Sequence, residues 1–234
     1  MGTTPTKGNP CSGLPNHAAL LAALKAARSQ PNGGFNLDMW GAIVNRDGIV
    51  CAVAFTGNGR GDQWPGSRVI AAQKANTANG FSLPGLALST ANLYTAVQPG
   101  GSLYGAQHSN PVDTSVAYGG DPARYGQEDD PMVGKRIGGV NVFGGGLALY
   151  GPGGVLLGAL GVSGDSSCAD HNIAWRTRHN LNLDFVPAGV SGDASRPDNI
   201  VYDINSGTSA SGWGHPTCSD EAAKIAASLP PKRS

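Results

Sequence analysis

Four side chains that could serve a ligand or a metal ion fall on one predicted helix, over about residues 168–181. Asp170 lies in its first turn, and His171, Trp175 and His179 follow at helical spacing, so these three project from one broad face. An imidazole beside an indole suits the edge of a porphyrin or an iron ligand. The alternative is a helix whose tryptophan packs in the core and whose histidines bond to carbonyl groups. The helix dipole favours an aspartate at position 170 under either interpretation.

Further candidates lie outside this helix. His108 is in a predicted loop near Tyr104, where a histidine can act as an axial ligand or a general base, or can simply be surface. Lys74 and Arg68 share another predicted helix and could pair with the carboxylates of a ligand, or be two solvated charges. His215, in a His-x-x-Cys pattern, is a weak metal signal.

Three consecutive glycines, Gly144, Gly145 and Gly146, precede an apolar strand. Glycine removes side chains where a ligand or another backbone comes close, so the cluster is predicted to border a small-molecule site. The alternative is a buried hairpin that needs glycine for its turns. Because the cluster precedes a strand and not a helix, a Rossmann dinucleotide site has little support. No CxxCH, GxSxG or HExxH motif occurs, so a Ser-His-Asp hydrolase also has little support.

Composition excludes several function classes. The 234 residues are 40% hydrophobic, which is ample for a core, and only 14% are charged, with a formal net charge of zero. Without a basic stripe to neutralise phosphates, nucleic acid is not an expected partner. No apolar run reaches the 18 or so residues of a membrane span.

The four cysteines fit no zinc motif. Cys11 and Cys218 lie near opposite ends of the chain, and we predict a disulfide between them that holds both terminal segments; four unpaired cysteines in a cytosolic protein are the alternative. An even cysteine count with low charge and high glycine favours an oxidising compartment, so we expect a periplasmic or secreted protein. No signal peptide is visible, and the first residues are expected to be a mature terminus preceded by an added Met-Gly.

The order of predicted elements is that of an α+β protein in a single domain, residues 1–234. The loop-rich stretch 82–136 is expected to be functional or to form an oligomer contact, and we predict a homo-oligomer. The predicted elements are a helix capped by Asn16, a hairpin over Trp40–Val44 and Ile49–Phe55, a helix capped by Ser67, a short helix over 88–97, a hairpin over 146–162, the helix over about 168–181, and a closing helix over Asp220–Leu229.

Several of these segments together resemble the haem-binding family that includes GlcG, the HbpS proteins and the C-terminal domain of PduO. The resemblance covers about residues 37–182, and a long insertion over 99–136 and a tail after 184 depart from shorter members. The matching segments are SRVIAAQKANTA (67–78), VQPGG (97–101), the glycine cluster before Leu147, GALGVSG (158–164), and Asp170.

The resemblance implies a profilin-like or PAS-like antiparallel β-sheet of about five strands flanked by helices, a ring-like homo-oligomer, and a pocket whose commonest ligand is haem. An enzyme on the same fold is the alternative, of the lyase, hydratase or isomerase type, cofactor-free or metal-assisted, acting on a small carboxylate or carbonyl compound. The candidate residues are His108 and His171 as iron ligands, Lys74, Arg68, Gly144, Gly145 and Gly146 as further haem contacts, and Lys74, His108 and Asp170 as acid or base groups in an enzyme.

Overall fold

A computed structural model describes residues 8–234, so the suggested Met-Gly start lies outside the described residues. Three single-turn 3₁₀ helices over Thr90–Leu93, Pro122–Arg124 and Pro152–Gly154 accompany the main elements. The helices are α1 (His17–Arg28), α2 (Ser67–Phe81), α3 (Tyr94–Val97), α4 (Ala106–Ser109), α5 (Thr114–Ala117), α6 (Ser167–Asn180) and α7 (Asp220–Ala227). The strands are β1 (Trp40–Asn45), β2 (Val50–Phe55), β3 (Gly146–Gly151), β4 (Val155–Ser163), β5 (Ile204–Asn205) and β6 (Thr208–Ser209).

Two hairpins lie side by side to form the main sheet. Its strand order is β2-β1-β4-β3, and every neighbouring pair is antiparallel. The α+β class is confirmed; the described part of the main sheet has four strands where about five were expected, and β5 and β6 form a separate two-stranded ribbon. None of the described helices is long and apolar enough to cross a membrane.

Helices cover both faces of this sheet, because side chains on successive strand positions point to opposite faces. In β1, Trp40, Ala42 and Val44 belong to a core cluster shared with α2. Ile43 belongs to the cluster on the other face, which α1, α6 and α7 cover. The sheet is therefore the middle layer of three, and α2 lies alone among the long helices on its side.

The small residues of α2, among them Ala71, Ala75 and Ala78, let it lie directly on the sheet. At Gly161 in β4, an added Cβ would overlap the carbonyl oxygen of Ala71 and the amide of Ala75, so the strand accepts no side chain there. Ser67 is the first residue of the helix and not its cap, because the cap position is held by Gly66, which has no side chain to bond. The Asn16 cap of α1 is confirmed, since its side chain accepts from the amide of Ala19 at 3.0 Å.

The predicted Cys11–Cys218 disulfide is wrong. The bonds are Cys11–Cys51 and Cys168–Cys218. The side-chain amide of Asn45 donates to the carbonyl of Pro10, which holds the N-terminal segment beside the first hairpin and thus beside Cys51. The C-terminal tail instead crosses the start of α6, where Cys168 lies. Each terminal segment is tied to its own nearest element rather than to the other.

Candidate functional site

Lys74 and Asp170, two of the predicted site residues, meet in a fully buried ion pair. The Lys74 ammonium lies 2.7 Å from Oδ2 of Asp170 and donates to the carbonyl of Val162 at 3.0 Å. The amide of Asp165 donates to Oδ1 of Asp170 at 2.9 Å. Burial lowers the pKa of Lys74, and burial raises the pKa of Asp170 to about 6 even though Lys74 opposes that rise. We call this place, where α2, β4 and α6 meet, the polar junction.

The glycine cluster makes the polar junction compact. Gly145 has a φ of +116°, in the region that favours glycine, and a Cβ there would overlap the carbonyl oxygen of Val162. A Cβ on Gly144 would overlap the carbonyl oxygen of Ser167, and one on Gly146 would lie 2.6 Å from the carbonyl oxygen of Lys74. These glycines allow close approach of backbones.

His171 lies next to the junction and is completely buried. Its Nε2 is 3.0 Å from the Oδ1 of Asn199, while its Nδ1 has no hydrogen-bond partner among the described residues. Burial lowers its pKa to about 4, so the ring is neutral at neutral pH. His179, further along α6, bonds to Asp184 at 2.7 Å.

The C-terminal tail covers this side of α6. Asp198 of the tail forms a bidentate ion pair with Arg178 at 2.6 and 2.8 Å, and both side chains are fully buried. Further along the tail, His215 is hydrogen-bonded to Ser167, and the disulfide to Cys168 closes the segment. Asp170 and His171 are therefore brought close to Lys74, beneath the tail and away from solvent, whereas His179 is partly exposed and separate from them.

Arg68 lies near the start of α2, six residues before Lys74 and away from the junction. Its guanidinium makes two bonds to the carboxylate of Asp130, one of them at 2.8 Å, and donates to the carbonyl of Ala117 at 2.9 Å. It also stacks on the ring of Tyr125, 3.6 Å from the centroid. His108 lies elsewhere, on the exposed helix α4, and its ring has no hydrogen bond to another described residue. Lys74, Asp170 and His171 thus lie in one cluster, whereas Arg68 and His108 lie at two separate places.

An open cavity of about 400 Å³ lies beside Arg68. Its lining is mainly apolar and aromatic, and Arg60, which is exposed, donates to the carbonyl of Pro122 at its edge. Trp40 forms part of the wall with 2% of its surface exposed, and its indole N–H has no partner among the described residues. The lining residues are Trp40, Arg60, Gly61, Pro65, Gly66, Arg68, Val69, Tyr118 and Tyr125. We call this the aromatic cavity.

Sequence reasoning identified only Arg68 among the residues of the aromatic cavity. Trp40 was assigned to a strand, and Tyr118, which is 65% exposed, and Arg60 were not singled out. These residues come from β1, from the loop after β2 and from the turn after α5, so no local pattern joins them. The one signal that the sequence offered was a tyrosine, Tyr118, in a stretch rich in glycine and proline.

Three solved structures are among those to which this chain is similar. PduOC in complex with haem is 25% identical, with a TM-score of 0.49, covering 71% of this chain and 91% of that one. The protein ORFY of Klebsiella pneumoniae is 20% identical, with a TM-score of 0.47 over 77% of this chain and 97% of that one. A double mutant of HbpS from Streptomyces reticuli is 18% identical, with a TM-score of 0.43 over 76% and 96%.

A comparison with curated proteins gave no match. A family model described as haem degrading protein HbpS-like matches residues 16–178, well over half of the chain, and it ends before the tail begins. This match confirms the resemblance found in the sequence. The chain belongs to the HbpS-like family.

Proposed function

We propose that this protein binds haem, and that it does so in the aromatic cavity. The observation that carries the proposal is an open, largely apolar cavity of about 400 Å³ in a chain of the HbpS-like family. Binding sites for flat apolar ligands are typically concave, aromatic and of this size, with a few polar groups that fix orientation. The polar junction offers no such space.

The residues around the aromatic cavity fit the chemical groups of haem. The Tyr118 phenol is an oxygen donor of the kind that holds iron in some haem proteins. The Arg60 guanidinium can pair with a propionate, and the rings of Trp40 and Tyr125 supply an aromatic wall. When bound, haem would supply an iron centre for ligand binding or redox chemistry. The protein residues would hold, orient and shield it.

A hemin titration followed by absorbance tests this proposal. Wild-type protein is expected to give a strong Soret band, and Tyr118→Phe is expected to shift it, because the ring remains and the oxygen donor is removed. Tyr104→Phe is the matched control, since Tyr104 is equally exposed, at 62%, and lies outside the cavity lining. Arg60→Gln should weaken the affinity for hemin about twofold to fivefold without a spectral change, because it removes one exposed ion pair with a propionate. Lys135→Gln is the control and should change neither the affinity nor the spectrum.

A substitution that fills the cavity separates its shape from its donors. Gly61 lines the cavity and an added Cβ would meet nothing within 4 Å, so Gly61→Trp should fold normally and block hemin. Gly59 also has open space but lies outside the lining, and Gly59→Trp is the control. If both variants bind hemin like wild type, the cavity is not the site.

The same hemin titration tests His108 and His171, the histidines predicted from the sequence as iron ligands. If His108→Ala or His171→Gln alters the Soret band and Tyr118→Phe does not, iron is held by histidine and the cavity assignment is wrong. Of the other predicted haem contacts, Arg68 lines the cavity, but its charge is already paired with Asp130. Lys74 and the three glycines lie at the polar junction and are not part of the proposal. If wild-type protein does not bind hemin, the alternative is favoured, which is an enzyme that acts on a small carboxylate or carbonyl compound.

We further propose export to an oxidising compartment and assembly into a homo-oligomer. Two disulfides, each joining a terminal segment to the family-like core, support the first proposal. Exposed aromatic side chains, among them Phe35 at 71% and Trp64 at 51%, support the second. Fractionation of producing cells and light scattering test them, and a mass near that of one 23.7 kDa chain would contradict assembly.

A further inference from the structure

A serine and a histidine from distant parts of the chain are held together at the start of α6. Ser167 is the first residue of that helix, and its Oγ lies 2.8 Å from Nε2 of His215 in the tail. The next residue after Ser167 is Cys168, and its disulfide partner Cys218 lies three residues after His215. The covalent bond therefore fixes the two segments that carry this pair, independently of the residues in the aromatic cavity.

The hydrogen bonds of His215 determine which ring nitrogen carries its proton. Nδ1 lies 2.8 Å from the carbonyl oxygen of Pro216, and a carbonyl can only accept, so Nδ1 is protonated. Nε2 of the neutral ring is then the acceptor, and the Ser167 hydroxyl donates to it. The ring of Tyr94 packs against the imidazole at 5.1 Å between centroids and restricts its rotation. This is the tautomer and orientation that a general base acting on serine requires.

The surroundings of Ser167 also suit a nucleophile. The amide of Gly144 donates to Oγ at 2.6 Å and would stabilise negative charge on it. The N-terminal end of α6 adds partial positive charge at the same place. Ser167 is partly exposed, and Phe143, next to Gly144, exposes 46% of its surface, so an apolar group can approach from solvent.

We propose that Ser167 and His215 form a nucleophile–base pair that hydrolyses small carboxylic esters. In the first step Ser167 Oγ bonds to the ester carbonyl carbon while its proton passes to Nε2 of His215. The bond from that carbon to the alkoxy oxygen then breaks, and the alcohol leaves with the proton from His215. Water, deprotonated by the same nitrogen, attacks the acyl-serine, releases the carboxylic acid and restores Ser167.

The pair has a distinctive pH dependence. Burial lowers the pKa of His215 to about 4, and the nearby Lys74 ammonium acts in the same direction. His171, the other titratable ring that couples to His215, is itself held neutral by burial. The base is therefore unprotonated above about pH 5, and the rate is expected to fall with a midpoint near pH 4. A solvent-exposed histidine would give a midpoint near 6.5.

Labelling with a fluorophosphonate probe and hydrolysis of p-nitrophenyl acetate test the proposal with the full chain. Mass spectrometry is expected to find the probe on Ser167, and Ser167→Ala should lower hydrolysis at least about tenfold, as should His215→Gln. Ser109→Ala, at an exposed serine of α4, is the control and should hydrolyse the ester like wild type. Intact mass and thermal unfolding confirm that each variant keeps both disulfides and its fold.

Two results from labelling and hydrolysis would each overturn the proposal, and the pH dependence provides a third. One is an unlabelled Ser167 in wild-type protein, which needs no variant to interpret. The other is hydrolysis by Ser167→Ala at the wild-type rate. A rate midpoint near pH 6.5 would assign the activity to another histidine, since His215 is neutral well below that pH. None of these results depends on whether the protein binds haem.

Discussion

The start and the middle of helix α2 carry the same kind of ion pair in opposite settings. Near its start Arg68 is neutralised by Asp130, and further along Lys74 is neutralised by Asp170; all four side chains are buried. At the first pair the surrounding aromatic side chains leave an open cavity. At the second pair glycine backbones and the C-terminal tail fill the space. A buried charged residue is thus a poor guide to a ligand site, and the space beside it decides the role.

The tail explains why the polar junction is closed. It lies outside the match to the family model, which ends at residue 178, and it is tied to α6 by a disulfide and by the Arg178–Asp198 pair. Lys74 and Asp170, whose side chains could act as acid or base groups, therefore have a structural role in this chain. The aromatic cavity lies on the other face of the sheet, where the tail does not reach the lining residues.

The largest expected effect is on the polar junction. Asp170→Ala leaves the Lys74 ammonium buried without a counter-charge, and we expect the free energy of unfolding to fall by about 3–5 kcal/mol. Urea unfolding measures it. Asp129→Ala, which breaks an exposed pair with Arg124, is the control and should cost within about 0.5 kcal/mol. Equal small losses in both variants would show that the junction is not important for stability.

The two disulfides provide the next comparison. They close loops of similar length, with sequence separations of 40 and 50, so replacing either pair by alanine should lower stability by about 2–4 kcal/mol. Only loss of Cys168–Cys218 should release the tail, which hydrogen exchange over residues 198–218 would detect. Equal protection of the tail in both variants would mean that the Arg178–Asp198 pair suffices to hold it.

The sequence predicted what local patterns and alternation determine. The Asn16 cap and both hairpins depend on residues near one another in sequence, and they are present in the structure. The disulfide pairing was wrong because four cysteines allow three connectivities and only the path of the tail selects one. The aromatic cavity was missed because Trp40 and Tyr118 become neighbours only after folding.

Low pH should lower the free energy of unfolding by protonating two buried histidines, His171 and His215. The pKa values of His171 and His215 fall to about 4 on burial, so the unfolded state binds more protons between about pH 6.5 and pH 4. Each histidine therefore lowers the free energy of unfolding as pH falls, by up to about 1.4 kcal/mol per pH unit. Asp170 acts in the opposite direction below about pH 6, because its pKa is raised in the folded state.

The two histidines outweigh the one aspartate, so we expect a net loss of about 1 kcal/mol per pH unit below pH 6. Urea unfolding at pH 6.5, 5.5 and 4.5 measures the slope. His171→Gln should reduce it, because that variant has no ring to protonate. A slope that is unchanged in this variant would mean that His171 does not contribute to acid sensitivity.

The smallest effect on stability is expected in the aromatic cavity. Tyr118 is mostly exposed, so Tyr118→Phe should change the free energy of unfolding by less than about 0.5 kcal/mol while it alters the hemin spectrum. Lys74→Met should show the reverse, with a large loss of stability and, in the fraction that folds, an unchanged Soret maximum. The two variants would then have opposite effects on hemin binding and on stability. We expect this because the Tyr118 oxygen is exposed to a ligand, whereas the Lys74 ammonium is buried against Asp170. If Lys74→Met shifts the Soret maximum, the junction takes part in binding and the distinction between the two ion pairs of α2 fails.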